Sequence, residues 1–227
     1  MSFSVIDFHT HHPERNPQGI SLFCHTDLLK DLPSFVLEKK SPFCAGLHPW
    51  FLPSSWEEGL RRLEKWRSHP QFLGLGECGL DRVRGPEFSL QLEFFERQIQ
   101  WAKKETIPFV VLHSVRSIPE CFGAIKKVNF PGKVIFHDYM ANAEQTNQLL
   151  NYPQVYFSLG RALEGRGKLL KEFDLIDKTL FEKRLFVETD DCEISISERY
   201  HQLSQLLGHT TDQLSHDISS RFEQLTH

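Results

Sequence analysis

Long apolar runs are missing from this sequence of 227 residues. Its longest aliphatic stretches, such as FVVL at 109–112, are far too short to cross a bilayer, and the start of the chain holds no apolar segment of signal-peptide length. The expectation is a protein with neither a membrane span nor a signal peptide. Cysteine is sparse: Cys24, Cys44, Cys78, Cys121 and Cys192 are odd in number, widely spaced and form no CxxC. That pattern argues against a disulfide framework and predicts free thiols in a reducing compartment, hence a cytoplasmic location. Net positive charge is absent as well. A formal charge of −4 argues against bulk attraction to nucleic acid or anionic membrane, while leaving room for a small basic patch or for a phosphate held by metal ions. There is no Gly/Ser/Pro-rich linker, low-complexity tract or repeat, so one domain over 1–227 with one sizeable core is expected. The absence of a GxGxxG turn disfavours an open doubly wound sheet, the second-ranked fold.

What the chain does contain is ordinary for a folded domain: 40% hydrophobic and 25% charged residues, with 19 Phe that predict a Phe-rich core. Eight short apolar runs end in a polar residue: 3–9, 19–25, 42–48, 71–77, 107–113, 133–138, 154–160 and 184–190. Their length, β-branched and aromatic content and Pro/Gly edges suit buried parallel strands. Amphipathic stretches lie between most of them. Ser54 and Glu57, Ser117 and Glu120, and Thr210 and Gln213 have capping-box spacing. Phe88, Leu92, Phe95, Ile99 and Ala102 line one helical face. The first connection, 12–18, is too short and Pro-rich for a helix, and 26–40 is ambiguous. The resulting fold class is α/β, a (β/α)8 TIM barrel, slightly distorted, with a trimmed first β/α unit.

In such barrels chemistry sits at the carboxyl ends of the strands. There the sequence places His9, His11, Glu77, His113, His137 and Asp190, all residue types that bind divalent metals. His9 and His11, two apart on a strand, share a side with Asp7, while Ile6 and Phe8 face the helix layer. Each residue also has a plainer reading. The HxH pair can be a solvated strand end, His113 and His137 hydrogen-bonded rim residues, Glu77 a salt-bridge partner of Arg82 or Arg84, and Asp190 an N-cap of the last helices. Six such residues on one end of five strands weaken those readings together.

The motifs in order are DFHTH, GLHP, GECGLD, VVLHS, IFH and VETD. From about residue 6 to about 192 this series resembles the TatD-like metal-dependent hydrolases of the amidohydrolase superfamily. The resemblance implies a barrel with two divalent ions, and the all-N,O donor set suits Zn, Mn or Mg. His9 and His11 would bind one ion, Glu77 would bridge both, and His113 and His137 would bind the other. Asp190 would bind the first ion and handle the proton. The implied activity is a phosphodiesterase or deoxyribonuclease using a metal-bridging hydroxide, with nucleic acid or a small phosphate ester as substrate and no obligate protein partner. Hydrolysis of a small amide or lactone is the second reading, and a metal-binding scaffold without turnover the third. The chain departs from the family at the substrate rim: Val115-Arg116 replaces an Arg two residues after His113, Asp138 follows His137, and Asp191-Cys192 replaces Ala-Pro.

Around this set, Asp7 and Glu188 are expected to hold a ligand imidazole or a loop in place. His48, Arg82, Arg116 and Arg161 are substrate-side candidates, with Arg84, Arg166 and Lys168 as further cations. Trp50 and Phe51 could stack on a base or cap the barrel. His12 reads as a solvated loop residue.

Overall fold

The computed structural model describes residues 5–226. Eight parallel strands lie in one sheet in chain order: β1 (Ile6–Thr10), β2 (Ile20–His25), β3 (Phe43–Ala45), β4 (Phe72–Asp81), β5 (Phe109–Val115), β6 (Lys133–Phe136), β7 (Val155–Leu159) and β8 (Leu185–Val187). Each strand from β2 on is followed by a helix: α1 (Ser34–Lys39), α2 (Trp56–Arg67), α3 (Phe88–Lys104), α4 (Ile118–Val128), α5 (Ala143–Leu150), α6 (Lys178–Glu182) and α7 (Ile196–Leu207). α8 (Thr211–Thr226) follows α7. Between β1 and β2 there is only a 3-10 turn, Pro13–Arg15, so the first unit is trimmed as its prolines require. Past β8 the chain returns to β1: Asp190 N–H donates to the His9 carbonyl (2.9 Å) and His11 N–H to the Asp190 carbonyl (3.3 Å). This is the (β/α)8 barrel topology.

Contacts divide the chain into two compact units, one running up to Phe23 and resuming at Ile135, the other Cys24–Val134. In the first, alternation along β1 sends Phe8 outward, where it stacks on Phe186 of β8 (4.1 Å) and meets Phe222 of α8 edge-on (6.3 Å). Tyr200 of α7 fastens the same strand: its hydroxyl donates to the Ile6 carbonyl (3.1 Å) and accepts from Ile6 N–H (3.2 Å). In the second unit Phe43 packs edge-on against Trp66 and Phe72. The expected Phe-rich core is present, and most of the phenylalanines are buried.

Local expectations needed correction where two frames compete. α2 is capped by Ser55, not Ser54, because Ser55 Oγ accepts from Glu58 N–H (3.3 Å); Ser54 instead gives its hydroxyl to Glu58 Oε2 (2.8 Å). Ser117 is the N-cap of α4 but its hydroxyl donates to the Leu80 carbonyl (2.7 Å), tying the helix to β4 rather than closing a cap. Thr210 and Gln213 do form the reciprocal capping box. Of the expected α3 face, Phe95, Ile99 and Ala102 are buried, whereas Phe88 and Leu92 are only partly covered and Gln91 and Gln98 are buried beside them. Both glutamines bond backbone groups of the neighbouring loops.

His25 closes β2, buried edge-on to Trp66 (4.6 Å), with Nε2 donating to the Lys30 carbonyl (3.1 Å). Burial pulls its pKa from 6.5 down to about 4, the Lys30 bond opposing. The unfolded chain therefore binds this proton more readily than the native one. The neutral ring contributes fully above pH 6.5, and the contribution is lost as pH falls through about 4. Urea unfolding across that window is expected to show about 3 kcal/mol of acid destabilisation that is absent in His25→Phe. An equally steep fall in the variant would assign the effect to other groups.

Candidate functional site

In the second unit the site is built on β4. This strand does not end at Glu77 but runs on to Asp81, and its register against β5 shifts between Leu75 and Cys78. Gly79 sits at φ 141°, where a Cβ would lie 2.0 Å from the His113 carbonyl, so only glycine lets the two strands pass so closely. Glu77 is buried, with Oε2 3.5 Å from His113 Nδ1 and 3.6 Å from His48 Nε2. It has no ion pair with the flanking arginines: Arg82 pairs with Glu120 and lies over Phe88, and Arg84 lies over the Trp50 ring.

Asp81, the last residue of GECGLD, orients the cluster, a role the sequence reading did not assign. Its Oδ1 accepts from Val83 N–H (2.7 Å) and Arg84 N–H (3.0 Å), and its Oδ2 from Trp50 Nε1–H (2.7 Å) and His113 Nε2 (3.1 Å). Burial pushes its carboxyl up, but the bonds from His113, Val83, Trp50 and Arg84 outweigh that and hold it well below the usual carboxylate range. A carboxylate only accepts, so His113 carries its proton on Nε2 and turns the Nδ1 lone pair toward Glu77. His48 is locked the opposite way. Its Nδ1 accepts from Trp50 N–H (3.1 Å), which leaves the proton on Nε2 facing Glu77. Position alone groups His48 with Glu77 and His113 as three possible ligands; the tautomer makes neutral His48 a donor there.

The two buried glutamines of α3 clamp the loops that carry these residues. Gln91 accepts from Asp81 N–H (2.8 Å) and donates to the Asp81 and Pro86 carbonyls (3.0 and 2.8 Å). Gln98, seven residues on and so on the same face, accepts from Leu47 N–H (2.8 Å) and donates to the Leu47 carbonyl (3.1 Å). A side-chain amide offers both bond types at once, which is why these two polar positions are buried beside the apolar ones.

In the first unit, Asp190 Oδ1 lies 3.7 Å from His9 Nε2 and 3.5 Å from His11 Nε2. Asp190 does not cap a helix; Ser195 is the N-cap of α7. Asp7 sits behind it, accepting from Thr189 N–H (3.0 Å) and O–H (2.6 Å), and so fixes the residue next to Asp190. Burial raises the Asp7 carboxyl to about 7, with the Thr189 bonds opposing. His137 stacks on the His9 ring (4.1 Å), with Nδ1 3.4 Å from Glu188 Oε1, which also accepts from Asp138 N–H (2.7 Å). Asp7 thus bonds the residue beside Asp190, and Glu188 bonds the His137 imidazole. Asp138 in turn accepts from Arg161 N–H (2.9 Å) and Nε (2.7 Å). Burial, then the charge of Glu188, raises the Asp138 carboxyl, and Arg161 partly offsets the rise. His12 is not merely solvated; it lies between Glu14 (3.5 Å) and Asp191 (3.3 Å). Arg116 is exposed, at φ 54°, and forms no ion pair among the described residues.

The donor chemistry fits divalent ions. Two ligands about 2.1 Å from a common ion in tetrahedral array stand roughly 3.4 Å apart, and the imidazole–carboxylate separations here are 3.5–3.7 Å. Glu188 Oε2 is a fully buried carboxylate oxygen with no hydrogen-bond donor among the described residues, a cost that a nearby cation or water removes. No helix among the described residues is long and apolar enough to cross a membrane, and none of the five cysteines is in a disulfide.

The family described as TatD related DNase matches residues 22–225. No curated protein matches the chain. Among solved structures, the chain is similar to YJJV, a TATD homolog from Escherichia coli K12, with a TM-score of 0.80 at 20% identity over 100% of this chain and 99% of that one. It is likewise similar to a hydrolase TatD family protein from Entamoeba histolytica, with a TM-score of 0.77 at 15% identity over 100% and 99% of the two chains.

Proposed function

The chain belongs to the TatD related DNase family, and from that premise we propose that it is a two-metal phosphodiesterase acting on nucleic acid or small phosphate esters. The observation that carries this reading is the pair of imidazole–carboxylate clusters with ion-like spacing, together with the carboxylates that orient His113 and His137. His9, His11 and Asp190 would hold one ion, and Glu77 with His113, through Nδ1, would hold the other. Zn, Mn or Mg suits these N and O donors. Bound there, the ions supply an acidified water and offset charge on the phosphate.

This chain's own groups do the rest. Asp190 takes the proton of the attacking water and returns it to the leaving oxygen. His48, whose Nε2 faces Glu77, is the proposed donor to a substrate oxygen. Arg161, steadied by Asp138, and Arg116, which forms no ion pair among the described residues, are the proposed phosphate contacts; Arg82 is engaged by Glu120. One domain over 1–227, a reducing compartment and action without an obligate protein partner belong to the same proposal.

The test is to strip the protein with chelator, restore one metal at a time, and assay single-stranded oligonucleotide, a generic phosphodiester, and simple amides and lactones in parallel. Metal-dependent cleavage of the phosphodiesters is expected. Turnover of the amides or lactones alone would replace this reading with the other one. In the same samples, metal at a hundredfold its Kd is expected to stabilise the fold by about 2.7 kcal/mol, raising Tm by roughly 5–10 °C. No shift with any of the three ions would mean that the clusters hold none.

A further inference from the structure

The turn after β3 presents two consecutive aromatic rings, and they differ in how much of each is already engaged. Trp50 gives its Nε1–H to Asp81, carries the Arg84 guanidinium on its face (3.8 Å) and meets His113 at 5.3 Å. Phe51 is 50% exposed. Its backbone is nevertheless pinned, since its N–H donates to the His48 carbonyl (3.0 Å). Its ring stands 5.6 Å from the His48 ring, tilted by 40°.

We propose that Phe51 is the stacking platform for an unpaired nucleobase next to the phosphate held at the His48, Glu77 and His113 cluster. The inference rests on the phosphodiesterase reading of that cluster. A single exposed phenylalanine is common on protein surfaces and by itself means little. Here the ring sits on a fixed turn, one residue from a committed tryptophan and one imidazole away from Glu77. The Arg84 cation stacked on Trp50 adds positive potential for a phosphate backbone. Every base has a π-face, so such a subsite tolerates sequence. It does require the base to be out of a duplex, so single strands and frayed ends are the substrates it favours.

The test uses the full chain carrying Asp190→Asn, loaded with the activating metal, and short single-stranded oligonucleotides in which 2-aminopurine replaces one base at a time. Fluorescence should be quenched on binding at one position. Phe51→Trp should keep that quenching, and Phe51→Ala should lose it and weaken affinity roughly five- to hundred-fold. An abasic site at the same position should cost as much, and the two losses should not add. Quenching that survives in Phe51→Ala, or losses that do add, would overturn the subsite. Should the protein without these substitutions neither bind nor cut any oligonucleotide, the nucleic-acid reading of the cluster fails first and the subsite with it. Should it cut them while Phe51→Ala binds equally well, the subsite alone fails.

Discussion

Asp190→Asn is expected to lower turnover by about a thousand-fold while leaving the protein folded. The substitution is clean for a backbone reason. Asp190 sits at φ 52°, a left-handed conformation that asparagine tolerates better than other side chains with a Cβ. Its main-chain bonds to β1, given and received by His9 and His11, do not involve the side chain. The amide oxygen can keep one contact near the two imidazoles, but the amide cannot take a proton from water at neutral pH. Calorimetric metal titration alongside initial rates separates the two functions: affinity should fall far less than rate. A variant that keeps most of its rate would remove Asp190 from proton transfer, and one that loses rate and metal in parallel would make it a ligand only.

Asp81→Asn is the second large effect, and it acts through His113. The native carboxylate accepts four hydrogen bonds, two on each oxygen. An asparagine has one accepting end, so its NH2 must face two donors in either orientation. Facing His113 and Trp50, it favours the tautomer with the proton on Nδ1, which removes the lone pair directed toward Glu77. Facing Val83 and Arg84, it breaks the loop that the carboxylate closes. Metal affinity is expected to drop ten- to hundred-fold, and stability by about 1–3 kcal/mol for the unmet donors. Metal-competition titration and urea unfolding measure the two. Because the native carboxyl stays ionised well below the usual range, its contribution is present above the unfolded pKa of 3.8 and lost only as pH falls below that value. Unchanged metal affinity in Asp81→Asn would mean that the ring does not need this partner.

Much of this architecture was legible in the sequence because strands and helices announce themselves by period. Eight apolar runs bounded by turn residues became eight strands in chain order, and the Pro-rich 12–18 segment became a 3-10 turn. Alternation along β1 was enough to separate Asp7 and His9 from Ile6 and Phe8. Strand lengths were not legible: β3 and β8 span three residues and β4 ten, because register and neighbouring strands, not propensity, decide where pairing stops.

What residue order determined by itself was the fold class, the positions of the metal-competent side chains along it, and the family to which the motifs point. What only the tertiary structure decided was the hydrogen-bond partner of each group. Asp81 selects the Nδ1 lone pair of His113, Trp50 N–H makes His48 a donor, and two glutamines are buried beside apolar neighbours on α3. It also separated Trp50, already engaged, from Phe51, still open. The physical reason is that periodicity fixes which face a side chain occupies. Its protonation, tautomer and free surface depend on hydrogen-bond partners that arrive from distant parts of the chain.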